Sequence, residues 1–217
     1  PALENHGLDV ITKHENLTKE QGEYVDRYFK EQVYPVLTPM AVDSSRPFPL
    51  VRNKTLNIAA LLQKKGGEEE LEFAMVQVPS VLARIVELPV TVDSIGNEMR
   101  HVILLEEIIE RNMKQLFLNY DIITSHPFRI MRNADFVLQE EEAMDLLEEI
   151  KKQLKKRQWG EVIRLEIEEN ADKRLLKILK KELEVNEEDI FRIPGALDLT
   201  FLMKMYGLSG YDHLKAP

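Results

Sequence analysis

The sequence predicts an α+β domain in which helices pack on a mixed β-sheet, preceded by a short helical segment at the N-terminus. Two segments in the first half alternate apolar and polar residues, as paired strands do. In the second half, helical patterns alternate with further strand patterns. Four prolines between positions 35 and 49 separate the first helical pattern from the first strand, because proline lacks an amide donor.

The composition excludes several classes of protein. The chain has 217 residues, of which 44% are hydrophobic and 31% charged, values that are ordinary for a folded globular protein. Without cysteine it has no disulfide or Cys-based zinc site. The net charge of −9 opposes binding to nucleic acid over the whole surface, so a polyanion must meet a local basic cluster. No apolar run approaches the roughly 20 residues of a membrane span, and no signal peptide precedes the chain, so we expect a cytoplasmic location.

The N-terminal part is predicted to be helical. Thr18 and Gln21 have the spacing of a capping box, and the helix that they begin is expected to end before Pro35. Its inward residues recur at helical spacing: Val25, Tyr28, Phe29 and Val33. We therefore assign residues 1–45 to the end of a helical region with a crossing segment, and residues 46–217 to the α+β domain.

The α+β domain is predicted to open with a hairpin. Residues 55–62 and 71–78 alternate, and the polar turn between them contains Gly66 and Gly67. The first of these strands directs Leu56, Ile58, Ala60 and Leu62 to one core face. Residues 85–88 and 100–104 are shorter strand candidates.

The rest of the chain alternates helices and strands. Helices are predicted over 105–117, 140–157 and 175–183, and a last helix, capped by Asp198 and ended by Gly207, carries Leu199, Leu202, Met203 and Tyr206. Extended segments are predicted over 128–133, 162–167 and 191–193. In the second of these, Ile163, Leu165 and Ile167 should face one side, and Arg164 and Glu166 the other.

Four segments resemble one enzyme family. They are residues 36–62 together with FRIMRNADF (128–136), WGEVIRLEI (159–167) and RIPGALDLT (192–200). Together they are similar to the long-chain polyphosphate kinases, in the order that the family has them. The resemblance is to the middle (head) domain of that family with the end of its N-terminal helical domain.

This resemblance implies a function for a longer parent protein. The family reversibly transfers the terminal phosphate of ATP to inorganic polyphosphate through a phosphohistidine, with Mg²⁺, as an oligomer. The phosphohistidine and most nucleotide contacts belong to C-terminal domains that should follow residue 217. We therefore expect no catalytic residue, no metal site and no cofactor in this chain.

The residues themselves agree with that expectation. No two of the five histidines have the spacing that places both on one helix turn. The glycine-rich patterns that cradle phosphate, GxGxxG and Gly-Lys-Ser/Thr, are missing from the sequence. The acidic runs at 140–142 and 187–189 stand near predicted helix or turn starts, where the helix dipole explains them.

Two basic clusters are candidates for contact with polyphosphate. Arg129, Arg132, Asn133 and Arg164 stand on two strands that match the family, where arginine could present planar donors to phosphate oxygens. The alternative is that these arginines pair with Glu166, with Asp135 or with residues of the flanking domains of the parent protein. The second cluster, Lys151, Lys152, Lys155, Lys156 and Arg157, lies at the end of a predicted helix, where the dipole alone favours cations.

Three functional hypotheses follow. In the first, the chain is a non-catalytic scaffold that contacts its own N- and C-terminal domains and a second subunit, and it lines the path of polyphosphate. In the second it is a stand-alone interaction module without a catalytic partner. The third, a nucleic-acid binder, is disfavoured by the acidic charge balance.

Overall fold

The fold is that of the computed structural model, which describes residues 3–42, 48–67, 70–92, 95–133 and 160–215. These residues confirm the α+β class, with strands in two mixed sheets where the sequence predicted one. The strands are β1 (Leu8–Ile11), β2 (Pro39–Val42), β3 (Leu56–Lys64), β4 (Leu71–Gln77), β5 (Ile85–Val92), β6 (Glu98–Leu104), β7 (Tyr120–Arg132), β8 (Val162–Glu168) and β9 (Ile190–Ile193). The α-helices are α1 (Lys19–Tyr28), α2 (Leu105–Arg111), α3 (Met113–Leu116), α4 (Lys173–Glu182) and α5 (Phe201–Tyr206).

The larger sheet has the order β2-β4-β3-β7-β8-β9. Its strands pair antiparallel except β8 and β9, which are parallel. The smaller sheet has the order β1-β6-β5, with β1 parallel and β5 antiparallel to β6. The predicted hairpin is confirmed as β3 and β4, but β1 was missed, since four residues carry too short a pattern.

Strand β3 is buried on both of its faces. Ile58 and Ala60 pack in one hydrophobic cluster, whereas Ala59 and Leu61 pack in a second. The predicted core face of Leu56, Ile58, Ala60 and Leu62 is confirmed, and the opposite face of the strand is a second core face that was not predicted. A near-continuous apolar run is typical of a strand that is covered on both sides.

The two hydrophobic clusters lie on opposite faces of the larger sheet. The first contains residues of α1, α2 and the smaller sheet, and the second contains the buried leucines of α4. Val25, Phe29 and Val33 belong to the first cluster and are fully buried. Residues on both sides of position 45 thus share one core, and a domain boundary at that position stays a prediction.

The capping box of α1 is confirmed. Thr18 Oγ1 accepts a hydrogen bond from the Gln21 amide at 3.2 Å, and Gln21 Oε1 accepts one from the Thr18 amide at 3.0 Å. Helical structure continues beyond α1 as a π-helix at Phe29–Val33 and a 3₁₀ turn at Tyr34–Val36. The α- and π-helical segments thus end before Pro35, as predicted, and Pro35 stands in the first turn of the separate 3₁₀ segment, where proline is tolerated.

Three predicted elements have different limits. The helix expected over 105–117 is two helices that meet at Asn112, whose Nδ2 donates to Ile108 O at 3.0 Å. Strand β7 begins at Tyr120 and contains Pro127, opposite Ile58. In β8, the register shift opposite Met131 and Arg132 skips Ile163, which is 46% exposed and does not face the core as predicted.

The last helix also differs from its prediction. Thr200 is the N-cap of α5, and Asp198 Oδ1 accepts from the Thr200 amide at 3.3 Å. Gly207 follows the helix with φ −80°, so its position does not require glycine. The predicted helix over 140–157 lies outside the described residues. Within the described part of the chain, no helix has the length and apolar character that crossing a bilayer requires.

Candidate functional site

A cleft of about 1130 Å³ opens between the segment before α1, the α2–α3 pair and strands β7 and β8. Lys13 and His14 reach it from the N-terminal side, and Glu110 lies at the end of α2. His126 and Glu168 come from the two neighbouring strands. The cleft thus collects titratable side chains from parts of the chain that are far apart in sequence.

Four of the side chains at this cleft join the buried Glu107 in a continuous charge network, consisting of Lys13, His14, Glu107, His126 and Glu168. Lys13 Nζ donates to Glu107 Oε1 at 3.1 Å and to Glu168 Oε1 at 2.6 Å. His14 Nδ1 lies 3.1 Å from Glu107 Oε2, and His126 Nδ1 lies 2.9 Å from Glu168 Oε2. One lysine therefore bridges two carboxylates, each of which also meets a histidine.

The contacts of the charge network shift the pKa values of Lys13 and Glu168. Burial alone would lower the pKa of Lys13, but its hydrogen bond to Glu168 and the charges of Glu107 and Glu168 outweigh burial and raise it. Burial would raise the pKa of Glu168, but the hydrogen bonds from His126 and Lys13 hold it below the ordinary value. Both groups are thus held in their charged forms.

Glu110 lies beside the charge network without belonging to it. Burial, followed by the negative charges of Glu107 and Glu168, raises the pKa of Glu110 to about 9. Its Oε1 accepts a hydrogen bond from Ser125 Oγ at 3.2 Å. Glu110 is therefore a neutral, protonated carboxylic acid near pH 7.

Two members of the network, His14 and Glu107, form with Glu15 the only convergent group of three possible metal ligands among the described residues. Ligand atoms of His14, Glu15 and Glu107 lie within 4.8 Å of one another. However, Glu107 Oε1 already accepts from Lys13, and Oε2 accepts from the His14 amide at 3.0 Å. This group therefore fits an internal hydrogen-bonded network better than an ion site, because its buried carboxylate is fully partnered.

Sequence reasoning missed this network because its partners are remote. Glu107 is 93 residues from His14, and Glu168 is 42 residues from His126. No spacing rule relates either histidine to its carboxylate. No signal in the sequence could have found the network, because the pairing of β7 with β8 is known only from the structure.

The predicted polyphosphate contacts lie elsewhere, and two of them flank one glutamate. Arg129 and Glu166 are directly opposite on the neighbouring strands β7 and β8. Arg129 Nη1 donates to Glu166 Oε2 at 3.4 Å, and Arg164 Nε lies 2.8 Å from Glu166 Oε1, outside hydrogen-bonding geometry. Glu166 is 8% exposed, so these arginines compensate a buried charge.

The other two predicted contacts hold the backbone. Arg132 Nε and Nη2 donate to Val51 O at 3.2 and 3.1 Å, and Nη1 donates to Gly160 O at 2.9 Å. Burial lowers the pKa of Arg132. The Asn133 amide donates to Glu161 O at 2.8 Å. Arg132 and Asn133 thus join β7 to the start of β8 and to the segment before β3.

Arg164 is the most available of the four. Its guanidinium lies over the ring of Phe191, 4.0 Å from the ring centroid, and its side chain is 36% exposed. Its two Nη groups donate no hydrogen bond to any residue that the structure describes. The basic run at 151–157, the acidic run at 140–142 and Asp135 fall outside the described residues. The acidic run at 187–189 forms a 3₁₀ turn in which Glu187 pairs with Lys180 at 2.6 Å.

The sequence is similar to one family of known proteins over most of its length. Residues 20–205 match the family described as polyphosphate kinase middle domain. The polyphosphate kinase of Exiguobacterium sibiricum is 46% identical over 216 residues, which cover 98% of this chain and 29% of that protein. The polyphosphate kinase of Bacillus anthracis is 46% identical over 223 aligned residues, covering 100% of this chain and 31% of that protein.

A solved structure agrees at the level of the fold. The crystal structure of polyphosphate kinase from Porphyromonas gingivalis superposes with a TM-score of 0.73 and 22% identity, over 94% of this chain and 28% of that one. The chain thus spans less than a third of the length of the relatives that it matches. With a family match over most of its length, the chain belongs to the polyphosphate kinase family and corresponds to its middle domain.

Proposed function

We propose that this chain is the non-catalytic middle domain of a longer polyphosphate kinase. The whole enzyme would reversibly transfer the terminal phosphate of ATP to inorganic polyphosphate through a phosphohistidine, and its other domains would bind ATP and Mg²⁺. The observation that carries this proposal is the match to named polyphosphate kinases over the full chain but only 29–31% of their length. The enzyme is expected in the cytoplasm.

The role of the chain within that enzyme is a scaffold. It holds the flanking N- and C-terminal domains in place and contributes to the contact with a second subunit. In support, most of the charged side chains described above at the cleft and on strands β7 and β8 form ion pairs with one another. Lys13, Glu107 and Glu168 form internal ion pairs, and Arg129 compensates Glu166.

Contact with polyphosphate, where it occurs, is assigned to Arg164. Arg129, Arg132 and Asn133 are engaged within the fold, whereas the Nη groups of Arg164 retain donors for a phosphate oxygen. The ring of Phe191 beneath the guanidinium restricts the orientation of the guanidinium, which favours bidentate donation.

The function of the parent protein is tested by sequencing the gene beyond the codon for residue 217 and by a phosphotransfer assay. We expect the reading frame to continue past residue 217 into a domain with a phosphorylated histidine. The longer protein should form polyphosphate from radiolabelled ATP and Mg²⁺, and the 217-residue chain should form none. A reading frame that ends at residue 217 would support a stand-alone interaction module, and turnover by the chain alone would contradict the scaffold role.

The assignment to Arg164 is tested by titrating end-labelled polyphosphate into the longer protein at low and moderate salt. Arg164→Ala should weaken binding and reduce its salt dependence by about one charge. Lys180→Ala removes a cation from an exposed pair on α4 and should leave binding unchanged. Equal binding by wild type and Arg164→Ala would remove polymer contact from this domain.

A further inference from the structure

The last helix and the leucine just before its N-cap present an apolar stripe to solvent. Leu199, Leu202, Met203 and Tyr206 recur at helical spacing and are 61%, 45%, 78% and 56% exposed. Such spacing is normally the inward side of an amphipathic helix. Here the single buried residue of α5 is Phe201, and the rest of the apolar side is uncovered.

Arg84 anchors the start of this helix to the core of the domain. Arg84 donates through Nη1 to Asp198 O and through Nη2 to Leu197 O, the carbonyls just before α5. Its guanidinium also lies over the ring of Phe201, 5.1 Å from the centroid. The same arginine is paired with buried Glu106, so the helix is anchored to the core while its apolar side faces out.

The last described turn of the chain lies next to this stripe, and the first described turn packs against that last turn. The rings of His6 and His213 are 5.9 Å apart, and Tyr211 donates its hydroxyl hydrogen to Gly7 O at 3.2 Å. The last described residue, Lys215, places its ammonium 5.4 Å from the ring centroid of Tyr206. Any polypeptide that continues from this point therefore starts beside the stripe.

We propose that the stripe of Leu199, Leu202, Met203 and Tyr206 is the docking face for the part of the polyphosphate kinase that follows this region. This inference rests on the proposed function, because it requires the longer chain. The relatives carry roughly 70% of their length outside the matched region, and the family match ends at residue 205, within α5. Exposed apolar patches of this kind mark contact surfaces. The polypeptide that continues from Lys215 starts beside this patch, so the domain that follows is the nearest partner for it.

The docking face is tested by methionine oxidation. Dilute peroxide should oxidise Met203 rapidly in the 217-residue chain, because its side chain is exposed, whereas Met75 and Met113 at 1% exposure act as buried references. In the longer enzyme we expect oxidation of Met203 to slow about tenfold relative to the isolated chain. Equal oxidation rates in the two proteins would overturn the proposal.

Paired substitutions supply a second test. Leu202→Ser with Met203→Ser should lower the melting temperature of the longer enzyme and make the junction after α5 easier to cleave by protease. Val81→Ser, at a position 79% exposed, is the matched control and should change neither property. In the isolated chain both sets of substitutions should have little effect, since no adjoining domain covers either site. Unchanged melting and cleavage of the longer enzyme would overturn the proposal.

A second copy of the chain is the competing occupant, and sedimentation distinguishes it. If the 217-residue chain dimerises and Leu202→Ser with Met203→Ser abolishes dimerisation, the stripe is a subunit contact and the proposal fails. The phosphotransfer assay is independent of all these readouts. An active longer enzyme with a freely oxidised Met203 would reject the docking face and leave the proposed function intact.

Discussion

The carboxyl of Glu110 makes the stability of this domain depend on pH. Its pKa is raised from 4.5 to about 9, so between these values the folded state holds a proton that the unfolded state has released. Stability must therefore fall as pH rises through this interval, and the loss is complete above the folded pKa. Ionised Glu110 would add a third negative charge beside Glu107 and Glu168.

We predict that Glu110→Gln stabilises the domain at alkaline pH. Glutamine keeps an oxygen that can accept from Ser125 and carries no ionisable proton. Urea unfolding at about pH 6 and about pH 9 should show a smaller loss of stability on raising pH in the variant than in wild type. Glu188→Gln, an exposed carboxylate in the 3₁₀ turn, is the control. An unchanged pH slope in Glu110→Gln would show that this carboxyl is ionised in the native state.

Arg84 is the second decisive side chain. Its Nε and Nη2 donate to the two oxygens of Glu106 at 3.1 and 2.6 Å, and the side chain of Glu106 is 4% exposed. Removing one partner of a buried pair leaves the other charged and without compensation, at a cost of roughly 3–5 kcal/mol.

We therefore predict that Arg84→Ala lowers the free energy of unfolding by about that amount, with Arg84→Lys recovering only part. Chemical denaturation measures the loss. Lys180→Ala breaks an exposed pair with Glu187 and should have no measurable effect. Equal stability of Arg84→Ala and Lys180→Ala would refute the assigned role of Arg84.

At the scale of elements, the start of β8 depends on one glycine. Gly160 has φ +67°, and a Cβ at this position would lie 2.1 Å from the carbonyl oxygen of Asn133. Gly66, in the β3–β4 turn, has a similar φ of +70° but meets nothing within 4 Å. Substituting alanine at both positions therefore distinguishes the cost of backbone strain, which both share, from the cost of steric overlap, which only Gly160 has.

We predict that Gly66→Ala costs about 1–2 kcal/mol, the strain of a side chain in the left-handed region. Gly160→Ala should cost clearly more, because the carbonyl of Asn133 must also move. Thermal unfolding of the two variants makes the comparison. A cost at Gly160 no greater than that at Gly66 would mean that the β7–β8 junction relaxes freely.

Elements with a strong local pattern could be predicted from the sequence, and those set by long-range pairing could not. The capping box at Thr18, the β3–β4 hairpin and the buried leucines of α4 depend on neighbours in sequence. Strand β1 exists because it pairs with β6, which begins 90 residues later. Ile163 follows the alternation of its strand yet lies at a register shift that only the partner β7 reveals.

The candidate site follows the same division. Arg129 and Arg164 were singled out because they share the polar face of β8 and its neighbour, and their alternative role, pairing with Glu166, agrees with the observed contacts. The charge network could not be predicted, because Lys13, Glu107 and Glu168 come from three remote segments. Polyphosphate contact by any of these residues stays a prediction.

At the scale of the whole molecule, β3 joins the two hydrophobic clusters. Its alternate residues belong to opposite clusters, so neither cluster can open without exposing the same strand. We expect the domain to unfold as one cooperative unit despite its two sheets.

This expectation is tested with one truncation in each cluster. Ile109→Ala and Leu179→Ala, both at fully buried positions, should each cost roughly 2–5 kcal/mol and shift a single common transition. Circular dichroism should show one unfolding transition. Amide hydrogen exchange should give the same free energy of opening for the buried amides of both clusters. Two separated transitions in either variant would mean that the sheets unfold independently. Val81→Ala, at a position 79% exposed, is the control.

The contact between the first and last described turns has a topological consequence. Because His6 and His213 are neighbours and Tyr211 binds Gly7, a short linker can join the two ends without crossing the core. New termini opened in the Lys65–Gly67 turn, which connects β3 and β4 and leaves open space around Gly66, would keep both sheets intact. The domain should therefore accept circular permutation, and it should also fold as an insertion in a loop of an unrelated host protein.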